Sequence, residues 1–213
     1  MPQIAVVGAD SLLARDLLIG LTARGNAAVA IGTPAESVRE WKRDFGITSR
    51  MPPGDPADPA AWATTLDGCD AMVFCVGVGS PEGAAATGAI PRSVLPAIIE
   101  ALRAAGIGRL ISVSGHDASA DEDSLVHASG CDWTILRFGR LLGGYGTNRV
   151  AIGESLPAAD IPATDAASVV IAVLETPGTA GRAWFAAAGD SGARRATRAL
   201  LALTPSAETS AGG

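Results

Sequence analysis

Aromatic residues, lysine, cysteine and long apolar runs are all scarce in this sequence, and each scarcity removes a class of reading. Aromatics make up 4% and charged residues 18% of the 213 residues, against 48% apolar. That balance describes an alanine-rich globular chain rather than a disordered one, long enough for one domain with a substantial core. No apolar run approaches the roughly 20 residues of a membrane helix. The net charge of −6 excludes a general nucleic-acid surface. The amino terminus enters an apolar run without a basic stretch, so no signal peptide is expected and a cytoplasmic setting is. Cys69, Cys75 and Cys131 are scattered, with no Cys-x-x-Cys or His/Cys cluster, so a metal site is not expected and reduced, buried thiols are. Lysine occurs once, Lys42, against fifteen arginines, and tyrosine once, Tyr145.

What is present alternates. Apolar runs at 3–8, 27–32, 70–77, 109–115, 132–139 and 182–189 read as strands, with a short one at 47–52. Amphipathic stretches at 11–25, 34–46, 58–68, 93–106, 120–130, 165–175 and about 192–203 read as helices, Pro34 standing near the start of the second. Segments 149–153 and 159–163 are expected to pair briefly with one another. Alternating strands and helices with continuous apolar strands imply a parallel sheet covered on both faces. Right-handed crossovers make it a doubly wound, Rossmann-like α/β fold. A single domain is expected over 1–204, with a small C-terminal substrate-side portion and a mobile tail at 205–213. Ligands of such sheets bind beyond the carboxyl ends of the strands. That rule nominates residues 8–13, 76–80, 114–117 and 138–142, together with Thr33 and Asp55.

The segment SGCDWTILRFGRLLGG (129–144) resembles the small NAD(P)H-binding branch of the atypical short-chain dehydrogenase/reductase superfamily. That branch includes flavin/biliverdin reductase-like and NmrA-like proteins. Supporting segments lie at 54–77, 104–115, 161–170 and 181–190, so the resemblance spans about residues 3–200. The family's cofactor loop, G-A-[ST]-G-x-x-G, reads here Gly8-Ala9-Asp10-Ser11-Leu12-Leu13-Ala14. Ser11 stands where a second glycine lets backbone approach a pyrophosphate. Asp10 adds a negative charge beside a doubly negative ligand, at a cost of roughly 3 kcal/mol per pair at ~5 Å. The helix amino terminus offsets about 0.3–1 kcal/mol of that. Two readings stand side by side: continued cofactor contact, or Asp10 or Ser11 capping the helix in place of a ligand.

The resemblance implies a cofactor set of Gly8, Asp10, Ser11, Leu12, Leu13, Thr33, Asp55, Val76, Gly77, Val78, Ser114 and Phe138. NAD(P)H binding is expected to be weakened or lost, and NADP preference is left open because the second strand ends in neither an arginine nor an acid.

The superfamily's Tyr-x-x-x-Lys pair is absent, since Tyr145 and Lys42 are far apart and the lysine slot falls near Ser119. Catalytic candidates are Ser114, His116 and Asp117, at the end of the fifth strand. His116 is either a general acid or base or part of a polar turn. A Ser-His-Asp triad is rejected, because residues so close in one loop rarely reach its geometry. His127 is expected to be structural, and Trp62, Trp133 and Trp184 to be core. Phe138 replaces the family proline and is expected at the pocket mouth. Tyr145, Arg140 and Arg149 are expected to shape the substrate side. The implied activity is NAD(P)H-dependent reduction of a small aromatic or quinone-like substrate. Alternatives are a cofactor-independent isomerase, cyclase or dehydratase, or a non-enzymatic NAD(P)-sensing regulator.

Overall fold

Residues 4–7 are apolar in unbroken succession and buried on both sides, which suits them to the middle of a sheet. The computed structural model describes residues 1–8, 11–32, 39–78, 90–118 and 120–203, without the side chains of 40–42. In chain order the elements begin β1 (Gln3–Val7), α1 (Leu12–Thr22), β2 (Ala27–Ile31), α2 (Arg39–Phe45), β3 (Thr48–Arg50), α3 (Ala60–Ala63) and β4 (Ala71–Phe74). A 3-10 turn (Arg92–Val94) leads into α4 (Leu95–Ala104), then β5 (Arg109–Gly115), α5 (Ala120–His127), β6 (Asp132–Phe138) and β7 (Leu141–Leu142). The chain continues through β8 (Val150–Gly153), β9 (Ile161–Pro162), α6 (Ala163–Glu175), β10 (Arg182–Ala188) and α7 (Ala193–Leu203).

The main sheet runs β3-β2-β1-β4-β5-β6-β10-β8. Its first seven strands are parallel, and β8 closes the edge antiparallel to β10. The fold is therefore Rossmann-like, with its topological switch point between β1 and β4. Side chains alternate across β1. Ile4 and Val6 face a core built with α1 and α6, while Ala5 and Val7 face one built with α3, α4 and α5. Trp184 and Phe138 lie in the first core, Trp62 and Phe74 in the second.

Three expectations are corrected. Segments 149–153 and 159–163 do not pair with each other: β8 joins β10, and β9 joins β7 in a separate two-stranded sheet. The free edge of β10 would otherwise expose unpaired backbone, and β8 covers it. The helix expected over 58–68 shrinks to α3, because the Asp55 and Asp58 carboxylates take the amides of Ala57 and Ala60 and hold the entry as turns. Trp133 is half-buried rather than core, its ring 4.3 Å from that of the exposed His127.

Candidate functional site

The β1–α1 turn meets the end of β4 at the switch point. Gly8 has φ +92°, and a Cβ there would lie 2.7 Å from the backbone of Val76, so only glycine fits. Ser11 is extended at φ −87° and caps α1, its hydroxyl accepting the amide of Ala14 at 3.2 Å. The side chain is 3% exposed and turned into the helix. Capping is thus the role the structure gives Ser11. The first amides of α1, those of Leu12 and Leu13, have no partner within the helix. Leu12 exposes its side chain beside them, while Leu13 is fully buried and has only its backbone to offer.

Opposite, Cys75 to Val78 form a tight turn closed by the Val78 amide on the Cys75 carbonyl at 3.3 Å. Val76 and Val78 are buried; Gly77 between them is exposed, at φ +72° with open space where a Cβ would stand. Asp55 is exposed, with one carboxylate oxygen on the Ala57 amide at 2.8 Å. Asp10, Thr33, Gly79, Ser80 and Ser119 lie outside the described residues.

Phe138 is not at the mouth of the crevice. It is fully buried in the core under α1 and α6, on the same face of β6 as Leu136, because strand parity sends both side chains inward. The aromatic at the crevice is Phe185, half-buried on β10 and paired in register with Arg137. Ser112 and Ser114 face the α5 side of the sheet, opposite to Ile111 and Val113. Ser114 is 2% exposed, and its hydroxyl has no hydrogen-bond partner among the described residues. It pairs in register with Arg137. The Arg137 guanidinium bonds Asp123 of α5 and lies 5.4 Å from the Phe185 ring centre.

Arg92 binds the constellation together. Its guanidinium donates to the carbonyl of Val76, to that of Val113 at 3.0 Å, and to both carboxylate oxygens of Glu122, the Nε contact being 2.5 Å. Glu122 also accepts the Ser112 hydroxyl at 3.3 Å. Neither arginine was given a role from the sequence: Arg92 carries no motif, and Arg137 entered only as part of the segment 129–144 that bears the resemblance.

His116 donates through Nε2 to the carbonyl of Leu156 at 3.0 Å, and its Nδ1 lies 3.2 Å from the Asp117 carboxylate. Its ring stands 4.8 Å from that of Phe185. Both neighbours are acceptors, so the site favours the doubly protonated imidazolium. The Leu156 carbonyl first, and Asp117 second, raise the pKa above the ordinary histidine value. Ser114 bonds neither His116 nor Asp117.

The loop after β7 is governed by Asp165, which sequence reasoning missed. This carboxylate, 2% exposed, accepts the amides of Thr147 and Asn148 at 2.9 and 2.7 Å and the Thr147 hydroxyl at 3.2 Å. Its one signal in the sequence was an acid in the first turn of an apolar helix. Tyr145 stands fully exposed on that loop. Arg140 pairs with Asp160 at 2.5 Å, and Arg149 donates to the Asp190 carbonyl at 2.8 Å, so both are engaged away from Ser114. A cavity of about 380 Å³ between α3 and α4, lined by Ala63, Leu66, Ala101, Ala104 and Ile107, touches none of these residues.

A doubly wound sheet, a glycine turn at its switch point and an open helix amino terminus beside it define a dinucleotide-binding α/β protein. Residues 8–177 match the NAD(P)H-binding family, and the chain belongs to it. Over 163 residues it is 32% identical to a Bacillus subtilis (strain 168) protein named as an uncharacterised sugar epimerase, covering 69% of this chain and 75% of that one. Among solved structures, a candidate NAD-dependent epimerase/dehydratase from Bacillus halodurans superposes with TM-score 0.75 at 25% identity, covering 93% of this chain and all of that one. An anaerobillin reductase from Escherichia coli O157:H7 gives 0.70 at 16% identity, over 90% of this chain and 98% of the other. A short-chain dehydrogenase/reductase from Veillonella parvula DSM 2008, solved with NADP, gives 0.70 at 14%, over 90% and 96%. The last two share the fold. Among the described residues no group of His, Cys, Asp and Glu could hold a metal, and no helix is long and apolar enough to cross a membrane.

Proposed function

We propose that the chain is an NAD(P)H-dependent reductase of a small aromatic or quinone-like substrate, holding its nucleotide more weakly than relatives with a full glycine loop. One observation carries this reading: the amino terminus of α1 lies at the β1/β4 switch point, with Gly8 pressed against Val76 and the Leu12 and Leu13 amides without a partner inside the helix. These groups fit a dinucleotide, and Gly77 keeps the exit of β4 free of a side chain. Ser11 spends its hydroxyl on Ala14 and keeps its Cβ where a glycine would leave room, which is the source of the weakening.

The bound nucleotide would supply a hydride. The chain's own part is placement. The Ser114 hydroxyl, buried and without a partner among the described residues, would donate to a substrate oxygen that reaches it, and Phe185, flanked by Arg137 and His116, offers a wall for a flat ring. With no Tyr-x-x-x-Lys pair, protons come from solvent or substrate. A cofactor-independent enzyme using His116 as a general base would first have to release it from the Leu156 carbonyl and Asp117. Steady-state assays with NADPH or NADH and a quinone panel test the reading. Ser114→Ala should lower kcat/KM by about tenfold or more through loss of a bond strengthened in the transition state. Turnover unchanged in Ser114→Ala, or absent with every quinone despite nucleotide binding, would remove it.

A further inference from the structure

α5 is held to the sheet by charge rather than by apolar burial. Val126 is the one buried residue of the helix, while its first turn carries Asp121, Glu122 and Asp123. Glu122 receives Arg92 and Asp123 receives Arg137. Both arginines belong to the crevice: Arg92 also reaches the carbonyl of Val113, and Arg137 is the register partner of Ser114. Ser114 adjoins both anchors along the sheet, Arg137 being its register partner and Val113, whose carbonyl takes Arg92, preceding it; its hydroxyl is buried and without a partner among the described residues. Leaving such a group unsatisfied is unfavourable, and an incoming oxygen would relieve it.

We infer that Arg92, Arg137 and Ser114 form a binding site for the carboxylate of an aromatic substrate, occupied in the free protein by Glu122 and Asp123. The inference rests on the reading of this crevice as the substrate side. Carboxylate is the chemistry the site already holds, since Arg92 grips Glu122 through two nitrogens, the planar fork that suits a carboxylate. A substrate carboxylate that takes the place of either acid keeps that acid's guanidinium paired, and so avoids the large penalty of stranding a half-buried charge. The exchange disturbs little packing, because α5 buries only Val126. Glu122 and Asp123, once released, remain in the first turn of α5, where the helix dipole favours negative charge. Phe185 stands beside Arg137 and the ring of His116, so the surface next to the carboxylate is aromatic.

Calorimetric titration of the full chain with benzoate, the simplest aromatic carboxylate, tests this. The variant Glu122→Gln/Asp123→Asn frees both guanidiniums and should bind benzoate about tenfold tighter than the wild type. Adding Arg137→Gln should remove the gain. Unchanged affinity in the folded double variant, or a gain that survives Arg137→Gln, overturns the proposal. A gain with inorganic phosphate and none with benzoate overturns the carboxylate assignment. Should a variant fail to fold, hydrogen exchange on the wild type decides: saturating benzoate should speed exchange of the α5 amides and leave those of α4 unchanged, and equal rates with and without benzoate overturn it. NADPH titration of the same proteins is the separate readout. Loss of nucleotide binding with benzoate binding intact counts against the reductase reading and not against this site.

Discussion

Ser11 and Gly8 face the same turn under opposite constraints. The Ser11 hydroxyl satisfies an amide that would otherwise go begging at the start of α1, so Ser11→Ala should cost about 1 kcal/mol in urea unfolding and Ser11→Gly only a few tenths. Gly8 has no such freedom. With φ +92° and 2.7 Å between a built Cβ and the Val76 backbone, Gly8→Ala should destabilise by more than about 1 kcal/mol, read in the same unfolding curves. His116 adds a pH dependence whose sign follows from its partners. Its folded pKa is raised by the Leu156 carbonyl and Asp117, so the folded state binds the proton more tightly than the unfolded one. That contribution is fully present below the ordinary histidine value near 6.5 and is lost as pH rises through the raised folded value. The wild type should therefore exceed His116→Ala in thermal midpoint most clearly at acid pH, the two converging as pH rises. A gap that widens with pH would reverse the assignment.

Among elements, the loop between β7 and β8 depends on one side chain. Asp165 accepts three hydrogen bonds from Thr147 and Asn148 while almost fully buried. Asp165→Asn swaps a charged acceptor for a neutral one and should cost about 1.5–3 kcal/mol in unfolding free energy. Limited proteolysis should then cut within residues 143–149 faster than in the wild type, and unchanged cutting would show that the loop is held otherwise. The elements differed in how far they could be read in advance. β1, β4, β5 and β6 stand in the sheet interior, buried on both faces, and so announce themselves as apolar runs. β7 and β9 are two residues each, too short for any period to show. β8 was legible as a strand but not its partner, since pairing with β10 is set by an open edge far along the chain. Phe138 was misplaced for a related reason: which face of a strand looks onto the crevice is known only once both cores are assembled.

At the scale of the whole molecule, the strand order places the amino terminus of α1 and the exits of β4, β5 and β6 around one crevice. The alternation of runs made that architecture legible, with Gly8 following β1, Gly77 following β4 and Ser114 near the end of β5. The ion pairs of Arg92 and Arg137 with α5 were not, because they join residues 30 and 14 positions apart through side-chain reach alone. The proposed weakening of the phosphate cradle is the feature on which function turns, and isothermal calorimetry with NADPH measures it most directly. The account predicts saturable one-to-one binding by the wild type and binding tighter by several-fold in Ser11→Gly, as the backbone gains room for the diphosphate. No heat of binding from either protein up to millimolar nucleotide, or equal affinity in the two, would contradict it.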